Sequence, residues 1–415
     1  MVRQLGTRLG LIALLTLLPL TIPVVPVLAA NVVAVEPGKL TLTQALREAT
    51  HGTVITVSPG TYSEATGETF PLIVPAGVEL KGDPANRGKE IFVTGGGRFL
   101  SVTVAGQNVT IVAERDSKIT GLTITNSNKR GYGLWIEGTN AEVTQNTFTG
   151  SKNDGVMVTG PSQARITSNY FYKNSSDGIT ILGKAQPVII DNLFEETGFA
   201  LNIDGLATPR IESNTIRNCV DGVVVLNKAQ PIFRGNRFEY NQRAGVAVVG
   251  EALPDLGTPT SPGNNLFIRN GTADVNNAKR SQETILAYGN QYTQRKMRGK
   301  VATEANPAAV PLLAISDPPV RPVVPMVKPK TPPKGKPKSK TLTAKADLTN
   351  GKYYVFVTDP SPDTKLLKTL VPTLLPRSHQ GQDVLQVGVF GSAQNAKELV
   401  DKLSRKGFKA ITQTS

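Results

Sequence analysis

The chain of 415 residues carries one cysteine, one tryptophan and two histidines. A lone Cys219 excludes an internal disulfide framework, and beside a short apolar segment it reads as a small core residue rather than a nucleophile. His51 and His379 stand near the two ends, so the central third of the chain offers no histidine for acid–base or metal chemistry. After the first thirty residues no apolar run is long enough to cross a bilayer. Acidic residues nearly vanish between 301 and 346, where eight Lys and Arg face two acids and supply much of the net charge of +14.

What is present is a repeat. VTQNTFTGSKNDGVMV, ITSNYFYKNSSDGITI, IIDNLFEETGFALNI, IESNTIRNCVDGVVV and FRGNRFEYNQRAGVAV follow one another every 22 or 23 residues. Asn146, Asn169, Asn192, Asn214 and Asn236 hold one register, and Phe148, Phe171, Phe194, Ile216 and Phe238 come two residues later. A small residue (Gly155, Gly178, Ala200, Gly222, Gly245) and an apolar-x-apolar pair complete each copy. A fixed period of this length means stacked units, and the period-two alternation at Val156/Val158, Ile179/Ile181 and Val223/Val225 means short strands. The expected fold is mainly β: a right-handed, single-stranded parallel β-helix of about 22–23 residues per coil, with coils roughly 4.8 Å apart. Asn at a sharp corner tolerates left-handed backbone and can bond the coils above and below, so the Asn column reads as a structural ladder and the Phe/Ile column as an internal stack. A second corner is expected at Gln186-Pro187, Thr208-Pro209 and Gln230-Pro231. Leu266–Phe267 and Asn290–Tyr292 extend the stack past an insertion at Leu253–Pro262.

An open end of such a stack must be covered. Leu42, Ala45, Leu46 and Ala49 share one helical face, and Thr41–Gln44 has the spacing of a capping box, so this helix is the expected N-terminal cap. The stretch from Thr41 to Asp83, with its Pro59-Gly60-Thr61-Tyr62 turn and Gly77-Val78-Glu79-Leu80 strand, resembles secreted bacterial right-handed β-helix proteins of the pectate-lyase-like superfold. The element Gly67-Glu68-x-Phe70-Pro71-Leu72 is similar to that of a subgroup of unknown function. The resemblance covers roughly residues 37 to 295 and implies fold, not activity.

Residues 1–30 combine Arg3 and Arg8, the apolar stretch Leu9–Leu20 and a Val27-Leu28-Ala29-Ala30 exit, the pattern of a secretory signal peptide cut near Ala29 or Ala30; an uncleaved anchor is the other reading. The expected organisation is signal peptide 1–30, β-helix with helical cap 31–300, Pro/Lys-rich linker 301–346 and a small domain 347–415. An exported chain whose folded parts are only mildly basic, with no basic–aromatic surface motif, is not expected to bind nucleic acid. No membrane span is expected after signal cleavage, and the oligomeric state is not encoded in any pattern found.

In the tail, Tyr353–Val357 and Leu385–Phe390 alternate as strands, Thr364–Leu370 and Asn395–Lys406 as helices, and Phe408–Ile411 as a last strand. The order suits an α+β, ferredoxin-like layout. The segment LQVGVFGSAQNAKELVDKLSRKGFKAI resembles the SPOR family, which implies binding of peptidoglycan glycan strands with Gln386 and Phe390 at matching positions. The first half departs from that pattern: its strand lacks the Gln and Gly, and its second strand is not evident.

For chemistry on the coils, Asp154, Asp177 and Asp221 precede the coil glycines, and Asp154 and Asp177 fall one repeat apart. On adjacent coils they suit a retaining glycosidase pair or a metal site; equally, Asp-Gly is a good turn former. Asp191, Asp204, Glu195, Glu196 and Glu212 are the other carboxylates available. Lys184, Arg210 and Lys228 near a corner are the cations available to a lyase, and Tyr132, Trp135, Tyr170 and Tyr172 the aromatic platforms for sugars. The leading expectation is an exported periplasmic or cell-envelope protein without catalysis: a carbohydrate-binding or surface-organising β-helix tethered to a peptidoglycan-binding SPOR-like domain. Peptidoglycan or another envelope polysaccharide is the expected partner, and no cofactor or metal is expected. The alternatives are a polysaccharide lyase or glycoside hydrolase, in which case Ca²⁺ enters as a candidate, and a purely structural stalk.

Overall fold

The structure, a computed structural model, describes residues 31–281 and 283–304, and in the C-terminal part 353–358, 375–379, 382–390, 397, 399–400, 403–404 and 407–414. The expected signal peptide, the linker from 305 onward, the Thr364–Leu370 helix and the side chains of Gln386 and Phe390 lie outside the described residues. Contacts divide the chain into two units, Met1–Val327 and Lys328–Ser415.

The first unit is a right-handed parallel β-solenoid. Among the described residues the chain visits three sheets in turn, which hold nine, ten and ten parallel strands, and the third carries one further antiparallel strand at its side. Register is kept residue for residue: Val143 lies on Ile166, Ile166 on Ile189 and Ile189 on Ile211 in the first sheet. In the second, Phe148 lies on Phe171 and Phe171 on Phe194. Each of these side chains is fully buried, so like sits on like along the axis and the core is a set of columns. Phe171 and Phe194 stack with centroids 4.6 Å apart, and Phe267 and Tyr292 continue the column at 5.2 Å.

The Asn column forms the expected ladder. The Asn146 N–H and side-chain amide both donate to Asn169 Oδ1, at 2.9 and 3.1 Å, and the same pair of bonds repeats through Asn192, Asn214, Asn236, Asn265 and Asn290. The amide also donates back to the preceding coil, from Asn192 Nδ2 to Ile166 O at 2.9 Å. The expected backbone reason needs correction: the left-handed residue is the one before the Asn (Gln145, Ser168, Asp191, Ser213), while the Asn itself is not left-handed.

A second polar ladder was missed in the sequence. At the next corner Lys173, Glu196, Asn218, Tyr240 and Arg269 are left-handed, and each precedes one of Asn174, Thr197, Cys219, Asn241 and Asn270. Asn174 Oδ1 accepts from Ser151 N at 3.2 Å, Asn241 Oδ1 from Cys219 N at 3.1 Å, and Asn270 Oδ1 from Asn241 N at 3.3 Å. Cys219 is thus a rung, fully buried against Thr197 Oγ1 at 3.3 Å, and burial pushes its thiol up to about 11. The coil glycines have a different job from turn formation. Gly155, Gly178, Gly222 and Gly245 lack positive φ, but a Cβ on Gly178 would stand 2.6 Å from both Ala200 O and the Phe194 ring. The insertion at Leu253–Pro262 lengthens one coil to 29 residues and is pinned by an Arg234–Asp255 ion pair at 2.7 Å.

Helix Leu42–Glu48 covers the first coils with Leu42, Ala45 and Leu46. Thr41 caps it through Gln44 N at 3.1 Å, but the Gln44 side chain bonds Glu48 and leaves the capping box half formed. The buried Glu68 carboxylate completes the cap, accepting from Leu42 N, Thr43 N and Thr43 Oγ1 at 2.9, 2.8 and 2.7 Å. The Gly67–Leu72 element is therefore a clasp for the cap helix.

The second unit contains an antiparallel sheet ordered Leu375–His379, Gln382–Phe390, Tyr353–Val357, Ala410–Thr414. The first of these is the strand not evident in the sequence. Val355, Val357, Val387, Leu403 and Phe408 form its core. Gln386 and Phe390 occupy positions opposite Phe356 and Tyr353.

Asn192→Ala would take the acceptor from the buried Asn169 N–H and one bond each from the Asn169 amide, Ile166 O, Ile190 O and Asn214 Oδ1, and leaving a buried polar group unmet costs roughly 1–3 kcal/mol where water cannot enter. Its thermal unfolding midpoint falls clearly, whereas Lys184→Ala in an exposed turn leaves the midpoint close to the parent value. Equal midpoints for the two variants would show that the ladder is not a main support.

Candidate functional site

Asp154, Asp177 and Asp221 all stand on the outside of the third sheet. There Leu134 lies on Val156, Val156 on Ile179, Ile179 on Leu201 and Leu201 on Val223, all facing the core. One outer row is Trp135, Met157, Thr180, Asn202 and Val224, each on the next coil. The bend at the coil glycines brings a second row out beside it, in which Tyr132, Asp154, Asp177, Phe199 and Asp221 follow one another.

Asp154 and Asp177 are thus brought together on adjacent coils, as their spacing implied, and both are buried at 3% and 5% exposure. Asp154 Oδ1 accepts the Asp177 N–H at 3.2 Å. Asp177 Oδ1 accepts the Phe199 N–H at 3.3 Å, and its Oδ2 takes Thr180 Oγ1 and Asn202 Nδ2, both at 3.0 Å. Asp221 stands two coils further along; its Oδ1 accepts Ala244 N at 2.9 Å and its Oδ2 pairs with Arg243, a partner the repeat pattern did not single out. Asp274 repeats the device on Lys296 N at 2.9 Å. One role is common to all four: the carboxylate receives an N–H of the following coil where the chain rounds the corner.

Burial, reinforced by the charge of Asp177, pushes the Asp154 carboxyl up to about 7. Burial raises Asp177 as well, against the hydrogen bonds from Asn202 and Thr180. The pair is therefore a place where a proton is held near neutral pH on the outer face of the solenoid.

The other sequence candidates do not converge on it. Arg210 bonds Glu212 on the first sheet at 3.0 Å, and Lys228 pairs with Glu251 at 3.3 Å. Asp191 is a left-handed corner residue, and Asp204 lies in a turn beside Asn227. Tyr170 donates to Glu195 Oε2 at 2.6 Å on the second sheet, and Glu195 also faces Arg217 at 3.4 Å. None of the four aromatic candidates is an open platform: Tyr132, Tyr170 and Tyr172 are buried and Trp135 is wholly enclosed. The enclosure of Trp135 comes from a two-stranded antiparallel ribbon, Gly97–Ser101 with the start of Ala105–Ala113, which the sequence reading did not foresee. Among the described residues no three of His, Cys, Asp and Glu form a metal-ligand set, and no helix is long and apolar enough to cross a membrane.

Residues 35–297 match a family described as "Protein of unknown function (DUF1565)". No curated protein matches the chain at a significant level. Among solved structures, pectate lyase Pel9A is 11% identical with a TM-score of 0.44, over 66% of this chain and 78% of that one. A pectin methylesterase from carrot is 13% identical with a TM-score of 0.40, over 67% and 90%. The family 28 exopolygalacturonase of Yersinia enterocolitica is 12% identical with a TM-score of 0.32, over 68% and 80%. These are likenesses of fold, and nothing of their chemistry carries over.

A raised carboxyl in the folded state binds a proton that the unfolded chain has already released. The stability this contributes is fully present below about pH 4 and is lost as pH rises through about 7. Asp154→Asn keeps an oxygen for the Asp177 N–H and removes the titration. Its unfolding midpoint relative to the parent therefore improves between about pH 5 and about pH 8. A pH-independent difference between the two would place the Asp154 carboxyl in the ordinary range.

Proposed function

This chain belongs to the DUF1565 family, and from that premise we propose that it is a non-catalytic carbohydrate-binding or surface-organising protein of the cell envelope. Its exported solenoid presents a polymer-length face, and its SPOR-like tail holds peptidoglycan through the Pro/Lys-rich tether. The observation that carries the non-catalytic reading is the use made of the acids: Asp154, Asp177 and Asp221 are buried, and each is engaged by an N–H of the next coil. A carboxylate bound in this way supports the stack and is poorly placed to attack a glycosidic bond or to activate water. Binding needs less. Side chains repeated about 4.8 Å apart along the axis offer contacts at regular intervals, which a linear polysaccharide can follow over many coils.

The tail enters this reading through the resemblance of its sequence, with Gln386 and Phe390 as the residues assigned to glycan contact. The signal-like first thirty residues and the basic tether favour an envelope location, where a cation-rich segment is drawn to anionic polymers.

A second reading, a polysaccharide lyase or glycoside hydrolase, is favoured by one feature: a carboxyl that holds its proton near neutrality beside a second carboxyl has the character of a general acid. In that case Asp154→Asn abolishes cleavage of whichever polysaccharide the parent degrades. Retained cleavage leaves Asp154 a member of the coil support.

The full chain is expected to co-sediment with purified peptidoglycan, and a chain ending at residue 304 to remain in the supernatant. The truncated chain should still be retained by a neutral or acidic polysaccharide in an affinity-gel screen scored for cleavage at the same time. Failure of the full chain to pellet removes the peptidoglycan role, and failure of both chains on every polysaccharide leaves only the stalk.

A further inference from the structure

The ribbon grows out of the third sheet. Asn108 and Val109 pair with Gly131 and Tyr132 as well as with Arg98 and Gly97, but from Phe99↔Gln107 to Ser101↔Ala105 the two strands pair only with each other, and a two-stranded ribbon is marginal by itself. It lies on an apolar patch separate from the cylinder core: Val109, Val112, Tyr132, Trp135 and Met157, against which Phe99 and Val104 pack. Tyr132 meets Trp135 edge-on at 5.0 Å, and Phe99 closes over Trp135 at 6.0 Å. The outward side of the ribbon tip is apolar too, with Leu100 71% and Val102 95% exposed.

The tip is fastened by one carboxylate. Glu137 Oε1 accepts Thr103 N at 2.6 Å and Ser101 Oγ at 3.0 Å, while its Oε2 accepts Trp135 Nε1 at 3.2 Å. A contact of 3.1 Å between the Thr103 and Thr159 hydroxyls completes the latch. Gly95–Gly97 stand where the first strand leaves the sheet, and Gly106 stands near the tip, where a Cβ would meet nothing.

Along the axis the covered aromatic patch runs directly into the polar rows. Trp135 is followed on successive coils by Met157, Thr180 and Asn202, and Tyr132 by Asp154 and Asp177. Asn202 Oδ1 is buried there without a hydrogen-bond partner among the described residues, although its Nδ2 is used by Asp177. An aromatic surface joined to a few convergent hydrogen-bonding groups is the composition of a ligand site.

We propose that the ribbon is a lid latched by Glu137, and that the Tyr132–Trp135 surface beneath it, continuing into Asp154, Asp177, Thr180 and Asn202, binds a neutral glycan chain. This rests on the carbohydrate-binding reading and narrows it. The indole face suits the C–H face of a pyranose ring, and the carbonyl and carboxylate oxygens suit its hydroxyls. Glu137, Asp154 and Asp177 bring acidic groups to one stripe, which disfavours a polyuronate through like-charge repulsion and leaves a neutral chain unaffected. Displacing the ribbon exposes the ring.

Trp135 is the only tryptophan, so its fluorescence reports on the lid alone. In the full-length parent it is shielded from acrylamide, and in Glu137→Ala quenching rises severalfold with circular dichroism unchanged. Cellohexaose binds the parent and Glu137→Ala, more tightly in the latter, whereas hexagalacturonate binds neither. A Thr103→Cys/Thr159→Cys variant loses cellohexaose binding when oxidised and regains it on reduction. Equal quenching in the parent and Glu137→Ala, or equal binding by the oxidised and reduced forms, overturns the lid. Binding of hexagalacturonate in place of cellohexaose overturns the neutral-chain assignment while the carbohydrate reading stands. Failure of both oligosaccharides on an opened lid overturns the site, and polysaccharide retention then decides the broader reading separately.

Discussion

A coil of parallel β-structure must turn a corner about three times per circuit, and at each corner the backbone leaves the sheet without leaving the interior. Buried N–H and C=O groups at that point need partners that the strand ladder cannot supply. Everything regular in this solenoid answers that requirement. The Asn146–Asn290 series, the Asn rungs of the Asn174–Asn270 series and the Asp154, Asp177, Asp221 and Asp274 carboxylates are three side-chain solutions to it: the Asn oxygens accept the N–H one coil back, and the Asp oxygens the N–H one coil ahead. The left-handed residue before each rung of the first two series aims the chain, and the rung bonds the stack.

This explains what could be read in the sequence. The first Asn column and its Phe companion were legible because one residue type is nearly constant there. The second column was equally periodic, but Asn, Thr and Cys all satisfy it, so its members did not look alike. Cys219 was recognised as a core residue and not as a rung. The coil glycines were legible as small, yet their reason is spatial: the Phe194 ring and the next carbonyl occupy the place of a side chain. Glu68 lay in plain view in its element, but its work is done across 25 and 26 residues on the cap helix, and no local pattern conveys that.

The outer face was less legible because nothing repeats on it. Pairing of Asp154 with Asp177 followed from the period, but their burial did not, nor did the ribbon that encloses Trp135. Gly95–Gly97, followed by alternation around Leu100 and Val102, carries a hairpin signal weaker than that of the coils around it. Its antiparallel pairing interrupts a stack whose other neighbours are all parallel, so a reading built on the period passes over it.

The corner requirement also bears on function. In a globular enzyme a buried acid pair is costly and is kept for chemistry, and a raised carboxyl is a reasonable pointer to an active site. Here the same pair is held by the fold for a structural reason, because a corner N–H must be met and Asp reaches it from outside the cylinder. Its elevated proton affinity follows from being placed in successive coils at strand spacing, whether or not a substrate exists. The discriminating features are those that the corner does not require: the Asn202 oxygen without a partner among the described residues, the Glu137 latch, and an aromatic patch built outside a cylinder whose core is already complete. These lie together on one stripe of the third sheet, and removing them would leave the solenoid's ladders intact. Parts that the fold can do without are where a function distinct from the fold has room to reside.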